Sequence, residues 1–367
     1  MNSKWEYRKI GDVCIVERGG SPRPIDQYIT NDANGINWIK IGDTSESMYI
    51  TETAQKIKPE GMKKSRYVQP GDFLLSNSMS FGRPYILKTD GCIHDGWLVL
   101  RDKNSFFDKR FLYYYLSAKP TYEKFKMIAV GGVVNNLNSE MVRKISVPVP
   151  CKAEQIEIAN LLDIVNRIIL KRKQTLQKLD ELVKARFVEM FGDDKYSKTP
   201  LINLITEGAG LSYGIVQPGD SGTGDMSVLR PVDMVNGKIS THSIKYIDRS
   251  IGASFKKTEL VGDELLITVR GTTGVTALTD SRFKNMNVTR GIAVIRYDRR
   301  KINPIYLNAF LNTDESQQYI QEHTRGATLQ QINLSDLRVH MIPVPPIELQ
   351  EKLADFIQQV DKSKVVA

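Results

Sequence analysis

The amino-acid sequence predicts an α+β protein: two β-rich globular units in pseudo-twofold repeat, each followed by a helix, with a long helix between them. Three observations carry this. Val147-Pro148-Val149-Pro150 returns as Ile342-Pro343-Val344-Pro345, and residues 136–166 align without a gap on 331–361. In that stretch Asn138/Asn333, Arg143/Arg338, Gln155/Gln350, Ala159/Ala354 and Val165/Val360 are identical besides the prolines. The likeness then continues upstream. Gly96–Arg101 matches Gly291–Arg296, Phe111-Leu112 and Leu116 match Tyr306-Leu307 and Leu311, and Gly131 matches Gly326. With a shorter offset Gly71-Asp72 matches Gly262-Asp263, and Asp43 falls opposite Asp233. Finally, no glycine or proline interrupts Ala153–Phe191, a helical pattern longer than a globular domain requires.

The first unit spans residues 1–152. Short apolar runs broken by Gly, Pro, Asn and Asp predict strands at Val13–Val16, Trp38–Ile41, Phe73–Leu75, Tyr85–Leu87 and Trp97–Leu100. The dense aromatic and Leu spacing of Asp108–Ser117 predicts a helix. Pro148 and Pro150 cannot donate ladder hydrogen bonds, so they end the unit in an extended segment. Residues 153–192 form the long helix. Its seam reads Leu162, Val165, Ile169, Arg172, Leu176, Leu179, Val183, Arg186, Met190, alternating steps of three and four as in a coiled coil. At 1.5 Å per residue the helix is roughly 55–60 Å long, and Gly192-Asp193-Asp194 stops it. Residues 193–346 repeat the strand pattern at Val228–Val232, Glu264–Val269, Val275–Leu278 and Ile292–Arg296, with a helix opening at Asn303-Pro304. Residues 347–367 begin a second, shortened helix with Leu349, Leu353, Phe356 and Val360 on one stripe.

Composition narrows the function. The chain has 367 residues, 41% hydrophobic and 25% charged, as in a globular protein of two domains. No apolar run approaches the roughly 20 residues of a membrane helix, and the N-terminus lacks a secretory signal. Cys14, Cys92 and Cys151 suit neither a disulfide framework nor a metal quartet, so a cytoplasmic location is expected. The net charge of +9 favours a polyanionic partner.

Catalytic motifs are weak. Asn303-Pro304-Ile305-Tyr306 lacks the second proline of an adenine-methyltransferase clamp. Gly219–Asp225 has an aspartate where a phosphate-binding loop needs lysine. His94, His242, His323 and His340 are scattered, and His94-Asp95 reads as a loop contact. No catalytic, cofactor-binding or metal-binding residue is therefore expected. Binding chemistry is richer. In the first unit the candidates are Lys63, Lys64, Arg66, Asn77, Ser78, Arg83, His94, Asn135 and Asn136. In the second they are Arg270, Thr272 and Thr273, aligned with Asn77–Phe81; Asn287, Thr289 and Arg290, opposite Asp90–Asp95; and Arg325, Gln330 and Gln331. Lys and Arg neutralise phosphates, whereas amides and hydroxyls can reach base edges, so these homologous loops are expected to form a nucleic-acid recognition surface. Framework residues repeat while loop residues diverge, as expected if the two copies read different sequences.

These residues resemble the specificity subunits of type I restriction–modification systems. The resemblance rests on Ile36–Asp43, Pro70–Leu74, Ile145–Pro150 followed by Glu154-Gln155, and Ile342–Pro346 followed by Leu349-Gln350. It covers essentially the whole chain. The resemblance implies two target-recognition domains, each reading one half of a split DNA site, separated by an antiparallel, coiled-coil-like helical spacer. The helices would set the spacing and dock two methylation subunits. Those subunits would carry S-adenosylmethionine, a motor–nuclease subunit would join the assembled complex, and this chain would be non-catalytic. The partner seam would comprise Leu162, Val165, Ile169, Leu176, Leu179, Val183, Met190, Leu353, Phe356 and Val360. One departure is that the second helix has about half the usual length, which would leave the stripe from Leu176 to Met190 unpaired. The alternatives are a stand-alone methyltransferase or nuclease, or a DNA-binding regulator.

Overall fold

The computed structural model describes residues 5–77, 81–129, 136–192, 195–219, 224–235 and 237–366. The chain divides into two units, Met1–Leu170 and Lys171–Ala367. The division falls within the continuous helix Lys152–Phe191, so each unit includes part of it.

The centre of the first unit is a five-stranded sheet ordered Cys14–Arg18, Trp97–Asp102, Phe73–Ser76, Pro84–Leu87, Tyr49–Ile50. Its strands alternate between two cores, as the period of two requires. Phe73, Leu75, Leu98 and Leu100 face helix residues Phe111, Leu112, Leu116 and Phe125. Leu74, Trp97 and Val99 face Ile39, Val68 and Ile93 of a second sheet, ordered Ile29–Thr30, Gln55–Ile57, Ile36–Ile39, Gly91–Ile93, Arg66–Val68. The run expected at Val13–Val16 begins one residue later, because Ile10–Val13 forms a helical turn. The predicted helix covers Lys109–Ser117, and Asp108 caps it by accepting the Arg110 and Phe111 amides. A further helix, Lys119–Ala129, was masked in the sequence by Pro120, which a first helical turn tolerates. Ser146–Pro148 pairs antiparallel with Tyr7–Lys9 in a two-stranded ladder, where the missing proline N–H does no harm.

The second unit repeats this frame. Its sheets run Ser212–Tyr213, Ile292–Ile295, Leu265–Thr268, Thr276–Leu278 and Lys245–Ile247, Met226–Leu229, Asn287–Val288, and Lys198–Pro200 pairs with Met341–Pro343. Asn303 caps the helix Pro304–Leu311, as its Asn-Pro start predicts. Hydrogen bonds fix the register of the duplication. The Ser76 hydroxyl accepts the Arg83 amide at 2.9 Å, and the Thr268 hydroxyl accepts the Val275 amide at 2.9 Å. The Gly82 and Gly274 amides donate back to the carbonyls of Ser76 and Thr268. Asn77 therefore corresponds to Val269, one residue away from the alignment drawn from sequence. Gly19 and Gly214 also occupy matching places. The Gly20 and Ile215 amides donate to the Ile93 and Val288 carbonyls, and a Cβ on either glycine would collide with backbone carbonyl oxygens there.

The last turns of the long helix belong to the second unit's core. Phe187 and Phe191 are buried, with ring centroids 5.6 and 5.1 Å from Tyr306. The helix Ile347–Val366 runs antiparallel to this segment: Arg186 lies over the Phe356 ring, and Lys364 reaches Asp180 at 2.8 Å. This corrects the expectation of an unpaired stripe from Leu176 to Met190. Leu179, Val183 and Met190 are half-buried, and only Leu176 is exposed. Leu353 and Val360 are buried and Phe356 is half-buried. The exposed stretch lies earlier, over residues 164–178, and includes Val165 and Ile169, whereas Leu162 is half-buried. The C-terminal helix starts beside the core in which the long helix ends, so pairing proceeds backwards from Phe191.

Candidate nucleic-acid interface

In the first unit, strands Ile36–Ile39 and Gly91–Ile93 pair in parallel, and the loops beyond them meet at Asp95. Its carboxylate accepts the Ser21 hydroxyl at 2.8 Å and Arg23 at 3.4 Å. Its carbonyl accepts the Asn77 side-chain amide at 2.9 Å and Arg18 Nε at 3.1 Å. Partial burial opposes ionisation of Asp95, but the Ser21 hydroxyl, a backbone amide, His94 and Arg23 together hold its carboxyl below the usual range. Two exposed arginines thus converge on Asp95, Arg18 on its backbone carbonyl and Arg23 on its carboxylate. His94 lies between Trp38 and Trp97, with centroids 6.3 and 6.4 Å away. Its Nδ1 accepts the Gly96 amide at 2.6 Å, and burial pushes the imidazole below its ordinary pKa.

Lys63 and Lys64 end the helical turn Pro59–Lys64 and are exposed; Lys64 donates to the Tyr28 hydroxyl at 2.8 Å. Ser65 ties this turn to the same edge through the Ile93 carbonyl, at 2.9 Å. Arg66 is exposed and 3.3 Å from Glu17. Lys40 donates to Gln55 at 2.7 Å and, with Arg23, Trp38 and His94, lines a concavity of about 770 Å³. The turn that carries Lys63 and Lys64, and Arg66 after it, are thus attached to the strand Gly91–Ile93 that leads into His94 and Asp95.

Other candidates in this unit stand apart. Asn77 is corrected: at 2% exposure its amide is committed to the Asp95 carbonyl and frames the loop from inside. Arg83 is exposed but lines a separate cavity with Tyr85, Tyr113 and Tyr122. Asn136 is half-buried. Ser78 and Asn135 lie outside the described residues.

The second unit builds a different surface on the same frame. Thr289 and Arg290 occupy the places of His94 and Asp95, their amides donating to the Leu229 and Ile215 carbonyls. Thr289 is 9% exposed, whereas Arg290 projects to solvent. Arg230 matches Lys40, but its guanidinium is held by buried Asp233 at 2.9 and 3.0 Å. A second cluster forms where the Gly271 amide donates to the Gln330 carbonyl and Arg270 bridges Gln331, which brings exposed Thr272 and Gln330 to one place. Arg325 joins them by strand pairing with Gln331 and lies 3.7 Å from Asp336.

Two candidates here are corrected. Asn287 is fully buried, accepting the Thr258 hydroxyl at 2.8 Å and donating to the Phe255 carbonyl at 3.1 Å. Thr273 is 4% exposed, its hydroxyl 3.0 Å from that of Thr324. In each case the polar side chain satisfies the backbone or a neighbour instead of facing solvent. Sequence reasoning missed Arg18, Arg23, Lys40 and Arg230. A signal existed for the last two, since each precedes a repeated aspartate, Asp43 or Asp233, by three residues.

Among the described residues, no group of three His, Cys, Asp or Glu side chains could hold a metal ion. Cys14 and Cys92 are buried, and burial pushes the Cys14 thiol up to about 12. No described helix is long and apolar enough to cross a membrane.

Known proteins share this arrangement. The chain is 23% identical over 360 residues to the type I restriction enzyme EcoBI specificity subunit of Escherichia coli, covering 90% of this chain and 74% of that protein. It is 25% identical over 391 residues to the putative type I restriction enzyme MjaX specificity subunit of Methanocaldococcus jannaschii, covering 97% and 87%. Two solved structures share the fold. One is a chain from work on complex assembly and conformational transition of the type I R-M system, with a TM-score of 0.56, 15% identity and coverage of 99% and 91%. The other is the type I restriction–modification S subunit from M. genitalium, with a TM-score of 0.53, 13% identity and coverage of 99% and 91%. The family model for the type I restriction modification DNA specificity domain matches residues 2–181 and again 220–365. With the same frame built twice and the family matched across both copies, the chain belongs to the type I restriction–modification DNA specificity family.

Proposed function

We propose that this chain is the DNA-specificity subunit of a type I restriction–modification complex, each unit reading one half of a bipartite double-stranded site. The observation that carries this reading is the repetition of one backbone frame with different surface side chains. Asp95 with Arg18 and Arg23 in the first unit corresponds to exposed Arg290 in the second. Cations on both surfaces would neutralise phosphates, and the differing polar groups would read different base edges.

The chain itself is non-catalytic in this reading. S-adenosylmethionine and methyl transfer belong to two partner methylation subunits, and DNA cleavage to a motor–nuclease subunit joined through the complex, all in the cytoplasm. The long helix supplies the docking surface. Leu161, Ile164 and Ile168 are 62%, 51% and 50% exposed, and a continuous apolar face of this kind suits partner helices.

Two measurements test the proposal. DNA incubated with S-adenosylmethionine and this chain alone should gain no methyl groups, but should be methylated once the cognate methylation subunit is added. Methylation by the chain alone would overturn the non-catalytic reading. Replacing Ile164 and Ile168 with aspartate should abolish co-purification of the methylation subunit without unfolding the chain; undiminished co-purification would place that subunit elsewhere.

A further inference from the structure

Gln155 and Gln350 are identical between the repeats, and neither is accessible to solvent. Each sits near the start of a helix and bonds in the same way. The Gln155 carbonyl oxygen accepts the Asp108 amide at 2.7 Å, and its Nε2 donates to the Phe106 and Pro150 carbonyls at 2.8 and 2.9 Å. The Gln350 carbonyl oxygen accepts the Asn303 amide at 2.8 Å, and its Nε2 donates to the Pro345 and Lys301 carbonyls at 2.8 and 3.5 Å. In both copies, one planar amide is fixed by backbone groups of two separate segments. These are the approach to the recognition unit's capped helix, at Asp108 or Asn303, and the Pro-X-Pro segment from which the outgoing helix starts.

We infer that Gln155, with its counterpart Gln350, is a positioning residue that sets the direction in which a helix leaves its recognition unit, and so the half-site spacing the chain accepts. This rests on the two-half-site reading above. The lever makes the effect large. A helix of 40 residues is about 60 Å long, so a tilt of about 5° at its root moves its far end by about 5 Å. That exceeds the 3.4 Å rise of one base pair in B-DNA. Other contacts at the root of the helix, Trp5 to Glu154 and Arg110 to Asp163, are only partly buried and bind through flexible side chains. The Gln155 side chain, by contrast, has no exposed surface and binds only backbone groups, and its bond to the Pro150 carbonyl is fully buried, where an unmatched partner is costly.

The experiment uses the full chain assembled with its methylation subunits. The substrate is a DNA pool in which the native half-sites are separated by spacers lengthened and shortened in single base-pair steps. Gln155→Leu keeps the bulk and removes all three bonds. It should reduce the preference for the native spacer over its neighbours by about tenfold, while base preference within each half-site stays unchanged. Gln155→Asn retracts the amide and should give a smaller change in the same sense. A wild-type spacer profile in either assembled variant overturns the inference, as does failure of both to fold, which would make the glutamine a determinant of the fold and not of spacing. A wild-type complex indifferent to spacer length would instead refute the bipartite reading on which the inference stands.

Discussion

At one place in the fold the two units can be compared residue for residue. Beyond the parallel strand pair, the first unit carries Lys40, His94 and Asp95, and the second carries Arg230, Thr289 and Arg290. The backbone hydrogen bonds there match, with the Gly20 and Ile215 amides donating to the Ile93 and Val288 carbonyls. The side chains do not. The first unit draws Arg23 to the Asp95 carboxylate and Arg18 to its backbone carbonyl, whereas the second pairs Arg230 with buried Asp233, and Arg290 projects to solvent. One duplicated frame therefore presents different side chains at the same place, as two surfaces reading different half-sites would require.

The comparison can be broken first at the frame. Leu112 and Leu307 are matched and buried in separate cores. Replacing either with alanine should cost about 2–5 kcal/mol, felt in its own unit, as measured by urea unfolding with a probe in each unit. A negligible loss at one of them would show that the two frames are not equivalent.

Acid offers a sharper contrast. His340 is buried against Ser316, with its ring 4.1 Å from that of Tyr319, and burial lowers its pKa to about 4; the matched residue in the first unit is Ile145. The folded pKa lies below the unfolded value of about 6.5, so the unfolded chain binds the extra proton between these limits. Stability of the second unit is complete above pH 6.5 and should fall by about 3 kcal/mol as pH drops to 4. His340→Gln should flatten that slope in thermal melts, and an unchanged slope would assign the acid sensitivity to other groups.

The smallest effect concerns phosphate contacts. Lys63→Ala and Lys64→Ala in the assembled complex should each lower the salt dependence of DNA binding by about one ion-release unit, without altering sequence preference. An unchanged slope would place both lysines away from DNA.

Much of this was legible in the sequence. The prolines at 148 and 343, the matched glycines and the uninterrupted stretch 153–191 encode backbone requirements, which repeat with the frame. The inward turn of Asn77 and Thr273 was not legible, because an irregular loop has no periodicity to say which side chain faces the core, and that of Asn287 was not because its strand is only two residues long. Phe187 and Phe191 escaped the heptad seam for a related reason. A strict seven-residue register drifts against a straight helix, and the face buried in the last turns has moved away from it. Arg18 and Arg23 joined the candidate surface only when the fold brought residues 18–24 beside Asp95, a contact between segments more than 70 residues apart.

The central claim is that each unit reads its own half of one DNA site. It is tested most directly by sequencing methylated adenines in cells that express the methylation subunits with this chain, with its Arg23→Ala variant, or with its Arg290→Ala variant. A two-part motif is expected, in which Arg23→Ala relaxes one half and Arg290→Ala the other. Relaxation of the same half by both variants, or a motif without two parts, would contradict it.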